Sequence, residues 1–284
     1  MIPSSVDYTR ASSVGEAIRL LAENPDAKLL AGGHSLIPAM KLRLNSPALL
    51  IDIARIAELR FIEDTGNAIV IGAASTHADI ITNPHLKALT AMIEAGELIG
   101  DTQVRNMGTL GGSIAHADPS ADWPAVLLAL EAQIKVQGPD GERIFPAVEF
   151  FTGFFSTALD TGEIVTEIHL PKPTAESASA YRKFMQPASR FAIVGCAASV
   201  TVKGGVISAA NVAFTGVSDA AFLDEGVASA LVGKPATLEN IEVAASAAAE
   251  GDMHINEDHF ASQAYRKHLA KVYAKRALAG ACGL

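Results

Sequence analysis

Apolar positions at helical spacing and short apolar runs broken by glycine alternate along this chain. Val14, Ala17, Ile18 and Leu21 recur at helical intervals behind Ser13 and Glu16, which fit a capping box, and Asn24-Pro25 marks the stop. Residues 28–31 read as the first strand, whose apolar Leu29-Leu30-Ala31 ends at Gly32-Gly33; a polar His34-Ser35 step follows, and a helix is predicted to open near Leu36 and run on around 38–44. Residues 48–53 read as a second buried strand, which closes a small α+β unit of about 55 residues. Beyond it the pieces shorten. A strand is predicted at 67–71, a helix start at Thr76 with Asp79, a helix over 86–93, and then a glycine-rich loop over 106–119. Asp122 is placed to cap a helix through Leu130, a hairpin follows over 133–145 with its turn at 138–141, and another strand spans 164–170. Residues 171–179 read as a linker. After it, 191–202 and 207–214 predict an antiparallel meander, and 221–231, 238–249 and 265–279 predict helices.

The two glycine-rich stretches carry the candidate chemistry. Glycine reaches positive φ and, lacking a Cβ, lets another group approach the main chain closely. A helix that starts just after such a turn adds unpaired N–H groups and a dipole suited to an anion. A bare strand-to-helix turn explains the first stretch about as well as phosphate binding does. The second stretch, Gly108-Thr109-Leu110-Gly111-Gly112-Ser113, tips that balance, because two such loops can face one another across a single pyrophosphate.

Composition narrows the classes. The chain has 284 residues, 49% hydrophobic and 19% charged, as in a folded protein, and its formal net charge of −9 argues against a nucleic-acid surface. No apolar run approaches membrane-spanning length, and the N-terminus shows no secretory pattern, so the cytoplasm is the expected compartment. Cys196 and Cys282 stand far apart, which excludes a four-thiolate iron–sulfur site on this chain.

Familiar catalytic signatures are missing. There is no Gly-x-Gly-x-x-Gly, no Walker A loop and no Gly-x-Ser-x-Gly elbow. His77 with His85, and His254 with His259, do not match metalloprotease spacing and read as surface or capping residues. His116 and Asp118 can be drawn as an acid–base pair, although loop polarity alone is the favoured explanation of both.

Ala31 to Pro38, Lys41-Leu42-Arg43-Leu44, residues 50–53, Gln103-Val104-Arg105-Asn106, the second glycine stretch and Ala117-Asp118-Pro119 together resemble the FAD-binding medium subunits of molybdenum hydroxylases. Within that family the chain is most similar to the carbon monoxide dehydrogenase branch. Tyr181 to Phe184 and residues 262–266 extend the resemblance to nearly the whole chain. It implies an α+β protein: a two-subdomain FAD-binding fold of the vanillyl-alcohol oxidase/PCMH type (residues 1–56 and 57–173), then an α+β C-terminal domain (174–284) closing over the flavin. Ala31, Gly32, Gly33, His34, Ser35 and Leu36 would hold an extended FAD from one side. Thr109, Gly111, Gly112 and Ser113, with Ala115, would hold it from the other. Asp118 and Asp122 would lie near the ribose or adenine, and Lys183 close to the flavin. Phe191, in Ser189-Arg190-Phe191-Ala192, stands where the family often has tyrosine in a Gly-Asp-Tyr-Ala step. No catalytic side chain and no metal ligand is implied here. The implied partners are a small [2Fe-2S] subunit and a large molybdopterin subunit, in a dimer of heterotrimers, with NAD, oxygen or a quinone as acceptor. The rival readings are a free-standing FAD oxidoreductase and a non-catalytic assembly subunit.

Overall fold

The computed structural model describes residues 2–284. Strand β1 (Asp7–Arg10) leads to helix α1 (Val14–Glu23), β2 (Lys28–Leu30), α2 (Leu36–Lys41) and β3 (Leu49–Asp52). These strands form a parallel sheet in the order β1-β3-β2. Ser13 caps α1 as expected, its hydroxyl accepting from the Glu16 N–H. Glu16 itself reaches one residue further back, to the N–H and hydroxyl of Ser12. The first glycine stretch leaves the carboxyl end of β2, the edge where parallel sheets place ligands.

The next sheet is antiparallel: β4 (Ile62–Asp64), β5 (Ala68–Gly72), β6 (Gln133–Gly138), β7 (Gly141–Pro146) and β10 (Ile164–Pro171) in the order β4-β5-β10-β6-β7. Helices α3 (His77–Thr82), α4 (Thr90–Leu98), α5 (Thr102–Met107), α6 (Leu110–His116) and α7 (Asp122–Ala129) lie between β5 and β6. The short α8 (Ala147–Phe150) and the hairpin β8 (Phe151–Gly153) and β9 (Ser156–Thr157) follow β7. Two expectations shift here. The helix anticipated over 86–93 is a 3₁₀ turn, Pro84–Leu86, followed by α4. Half of the stretch expected as a glycine loop is α6.

The last sheet is an antiparallel meander of β11 (Ser177–Met185), β12 (Ala192–Lys203), β13 (Val206–Thr215) and β14 (Phe222–Leu223), with α9 (Glu225–Leu231), α10 (Leu238–Ala245) and α11 (Gln263–Ala281) after it. Part of the expected linker is thus the start of β11, and part of the expected 221–231 helix is β14. Both faces of this sheet are covered. Tyr181, Ala197 and Ala213 join the core under α4 and α7, whereas Ala180, Cys196, Val212 and Phe214 join the core under α9, α10 and α11. A strand buried on both sides has no polar face, which is why β12 reads as one apolar run. Arg266 of α11 ties the layers: buried, it donates to the carbonyls of Ile193 (2.6 Å) and Gly216 (2.7 Å) and pairs with Asp258 (2.6 Å).

Candidate functional site

The fold brings the two glycine stretches into contact. A Cβ on Gly32 would press into the Met107 carbonyl oxygen and lie 2.7 Å from the Gly108 Cα; a Cβ on Gly112 would come 3.8 Å from the Ala31 Cβ. Only Gly33 of these glycines adopts positive φ, at 73°, so the others serve close approach rather than a turn. On the first side the main chain is unspent. Among the described residues, the N–H groups of Ala31, Gly32, Gly33, His34, Ser35 and Leu36 find no acceptor. The exposed His34 leans back, its Nδ1 donating to the Gly32 carbonyl at 2.9 Å. A run of backbone donors with nothing to bind is an anion cradle.

The second side works differently from the sequence expectation. Its N–H groups are already engaged: Leu110 donates to Ser75, Gly111 to Ala73, Gly112 to the Thr109 hydroxyl (3.1 Å) and Ser113 to the Thr109 carbonyl. What α6 offers outward is exposed glycine and alanine surface at Gly112 and Ala115, with the half-buried Ser113 between them. Gly111 is buried because a Cβ there would meet the Ala73 Cβ at 2.5 Å. Hollows of about 240 Å³ beside Lys135 and Glu142, and of about 330 Å³ beside Glu97 and Arg276, include no residue of either stretch.

Asp118 is half-buried and accepts from the Ser120 N–H at 2.8 Å, a local turn; burial raises its pKa. His116 packs against Phe155 with ring centres 5.0 Å apart and the planes tilted by 54°, and it makes no hydrogen bond to Asp118, so the acid–base pairing is not formed. Asp122 corrects one expectation, and Lys183 lies against this residue. Asp122 does not cap α7, whose N-cap is Ala121, and it is withdrawn from the surface. Its carboxylate accepts from the Tyr181 hydroxyl and pairs with the Lys183 Nζ at 2.9 Å. Lys183, its side chain fully buried, also donates to the carbonyls of Leu98 (3.0 Å) and Arg190 (2.8 Å), which uses all three ammonium protons. Both Asp122 oxygens already accept a hydrogen bond from within the chain. Burial raises the Asp122 pKa against the lowering pull of Lys183, and burial beside Asp122 raises that of Tyr181.

These bonds fasten the turn between β11 and β12 to the end of α4. Arg190, at a positive φ of 63°, donates to the Gly100 carbonyl at 2.8 Å, and Arg105 donates to the same carbonyl at 3.2 Å. Cations gathered on the carbonyl end of a helix are favourably placed. Phe191, next in the chain, is 42% exposed.

Sequence reading missed His77. Expected in a surface or capping role, it is 5% exposed, and its Nδ1 accepts from the Trp123 indole at 3.1 Å. Burial pushes its pKa down to about 4. A histidine kept neutral in the fold but free to protonate when unfolded costs nothing above pH ~6.5 and destabilises as pH falls toward 4. Between pH 7 and pH 5 the unfolding free energy is expected to drop by about 2 kcal/mol from this group. Urea unfolding of the chain and of His77→Gln at both pH values checks this, since the variant lacks that contribution.

Comparison with known proteins now decides the family. Residues 4–173 match the family model described as the FAD binding domain in molybdopterin dehydrogenase, and residues 179–281 match the CO dehydrogenase flavoprotein C-terminal domain. The chain belongs to the FAD-binding medium subunits of molybdenum hydroxylases. This medium subunit is 42% identical over 280 residues to the carbon monoxide dehydrogenase medium chain of Hydrogenophaga pseudoflava, covering 98% of the chain and 97% of the relative. It is 37% identical to the glyceraldehyde dehydrogenase medium chain of Sulfolobus acidocaldarius, covering 98% of each. The solved carbon monoxide dehydrogenase from H. pseudoflava that lacks the Mo-pyranopterin moiety superposes with a TM-score of 0.95 at 42% identity, over 100% of this chain and 99% of that one. The medium subunit is thus part of an oxidoreductase, its cofactor is FAD, and the unspent N–H groups and Cβ-free seam suit a pyrophosphate.

Proposed function

We propose that this medium subunit relays electrons from the [2Fe-2S] clusters of a small partner subunit, through FAD, to NAD, oxygen or a quinone. Substrate oxidation would take place at molybdenum on a large third subunit, in a dimer of heterotrimers in the cytoplasm. The observation that carries the reading is the seam: two remote glycine stretches in contact, one presenting unused backbone donors to an anion. Ala31 to Leu36 bind the pyrophosphate, while Thr109, Gly111, Gly112, Ser113 and Ala115 form the opposite wall. Asp118 orders the turn beside it. Lys183 and Asp122 act as positioning residues, holding the Arg190-Phe191 turn in place over the seam. The chain divides near residues 56 and 173 into two flavin-holding subdomains and a closing domain.

Bound FAD supplies the redox chemistry, taking electrons singly and passing on a pair. The chain's own side chains hold and orient it, and no acid or base of this subunit is needed. The substrate is set elsewhere, which fits the resemblance to medium chains of both a carbon monoxide and a glyceraldehyde dehydrogenase. The test is to purify the chain alone and with its co-encoded partners and follow visible flavin absorption on adding candidate substrates. Bleaching only when all partners are present supports the relay. Bleaching by a small substrate with this chain alone supports a free-standing oxidoreductase. Absence of flavin from every preparation, even after adding FAD, leaves only an assembly role.

A further inference from the structure

We propose that His77 is a further FAD-binding residue, its Nε2–H donating to a phosphate oxygen of the cofactor at the seam of the two glycine stretches. The inference rests on the flavin reading above and adds a side-chain donor to a site otherwise built from backbone. It starts from the tautomer. The Trp123 indole N–H can only donate, so at 3.1 Å from His77 Nδ1 it fixes a lone pair on that nitrogen. In the neutral ring the proton is then on Nε2. Burial keeps the ring neutral, with its pKa pushed down to about 4.

That proton has no acceptor among the described residues, and although the residue as a whole is only 5% exposed, Nε2 itself is not closed off from the surface. A free N–H that is reachable from the surface, on a ring otherwise enclosed, is available to a partner from outside the chain. Its position says which. Thr76 and Thr109 form an isolated antiparallel bridge, and the His77 N–H donates to the Gly108 carbonyl at 3.0 Å, which locks the residue to the second stretch. Nε2 lies 2.6 Å from where a Gly108 Cβ would stand, and Gly108 Cα lies 2.7 Å from where a Gly32 Cβ would stand. The absence of side chains at Gly32 and Gly108 therefore leaves Nε2 beside the junction of the two walls. His34 of the first stretch is near enough for its charge to lower the His77 pKa further. A neutral N–H donor there adds to the unspent N–H groups of residues 31–36, all suited to an anionic oxygen.

The test is FAD titration of the full-length, flavin-stripped chain, comparing wild type with His77→Asn and His77→Gln. Asparagine places an acceptor near Nδ1 for Trp123 but loses the distal donor, whereas glutamine keeps a donor near Nε2. His77→Asn is expected to bind FAD roughly 10- to 100-fold more weakly, and His77→Gln within about threefold of wild type. Equal affinity of His77→Asn and wild type would overturn the inference. Should the variants fail to fold, ¹⁵N-histidine NMR of the wild-type chain decides. A protonated Nε2 that gains coupling to ³¹P on adding FAD supports the contact, and an unchanged Nε2 signal refutes it. Failure of the wild-type chain to take up FAD at all would instead remove the flavin reading, and this inference with it.

Discussion

Gly32→Ala is expected to strip the chain of FAD while leaving it folded. The new methyl would press into the Met107 carbonyl oxygen and against the Gly108 Cα, which are backbone atoms that cannot swing aside. Relief requires the two glycine stretches to move apart, and overpacking of this kind costs about 1–3 kcal/mol. That cost falls on the geometry of the seam, so FAD affinity should drop roughly 5- to 150-fold. Equilibrium titration of the flavin-stripped chain measures it. Gly15→Ala is the control, because a Cβ at Gly15 meets nothing within 4 Å and alanine favours the helix it would join. A Gly32→Ala chain that keeps wild-type affinity would show that FAD does not depend on close contact between the stretches.

Lys183→Met is expected to cause the largest loss of stability of any single change in the junction between the flavin-binding and C-terminal regions. It removes the cation from a fully buried carboxylate and leaves Asp122 with the Tyr181 hydroxyl alone. It also frees the carbonyls of Leu98 and Arg190. Breaking one side of a buried ion pair costs about 3–5 kcal/mol, because the remaining charge stays desolvated. Urea unfolding should show that loss, and the Asp122 pKa should rise further without its counter-charge. Adding Asp122→Asn should cost less than the sum of the two single changes, since the orphaned charge is then gone. Strict additivity would mean that the two groups are not energetically paired.

The first half of the site was readable because local chemistry dictates it. An apolar run into Gly-Gly can only break there, and Gly33 at a φ of 73° supplies the bend that lets α2 start at Leu36. Thr76 with Asp79 announced a capping box that the structure contains in full. The second half misled because glycine carries two meanings. Over 106–119 it suggested a loop, yet Gly111 and Gly112 lie in α6, where Thr109 caps the helix and close packing on Ala73 outweighs glycine's poor helix propensity. Asp122 was misplaced for a related reason. An aspartate before an apolar run reads as a cap, and only the tertiary fold shows Tyr181 and Lys183 of β11 claiming its oxygens. Gly195 makes that reach possible, since any side chain there would occupy the space of the Tyr181 hydroxyl. Strand β1 stayed hidden because its Asp7, Tyr8 and Arg10 are exposed and offer no apolar face to read. His77 looked polar and read as a surface or capping residue; nothing local reveals that Trp123, far along the chain, would cover it.

The most direct test is the structure of the assembled complex with FAD bound. The pyrophosphate should lie at the seam, within hydrogen-bonding distance of the backbone N–H groups of Ala31 to Leu36 and against Gly112 and Ser113, with the Arg190-Phe191 turn over the flavin. FAD bound away from this seam, or those N–H groups still without a partner in the FAD-loaded complex, would contradict it.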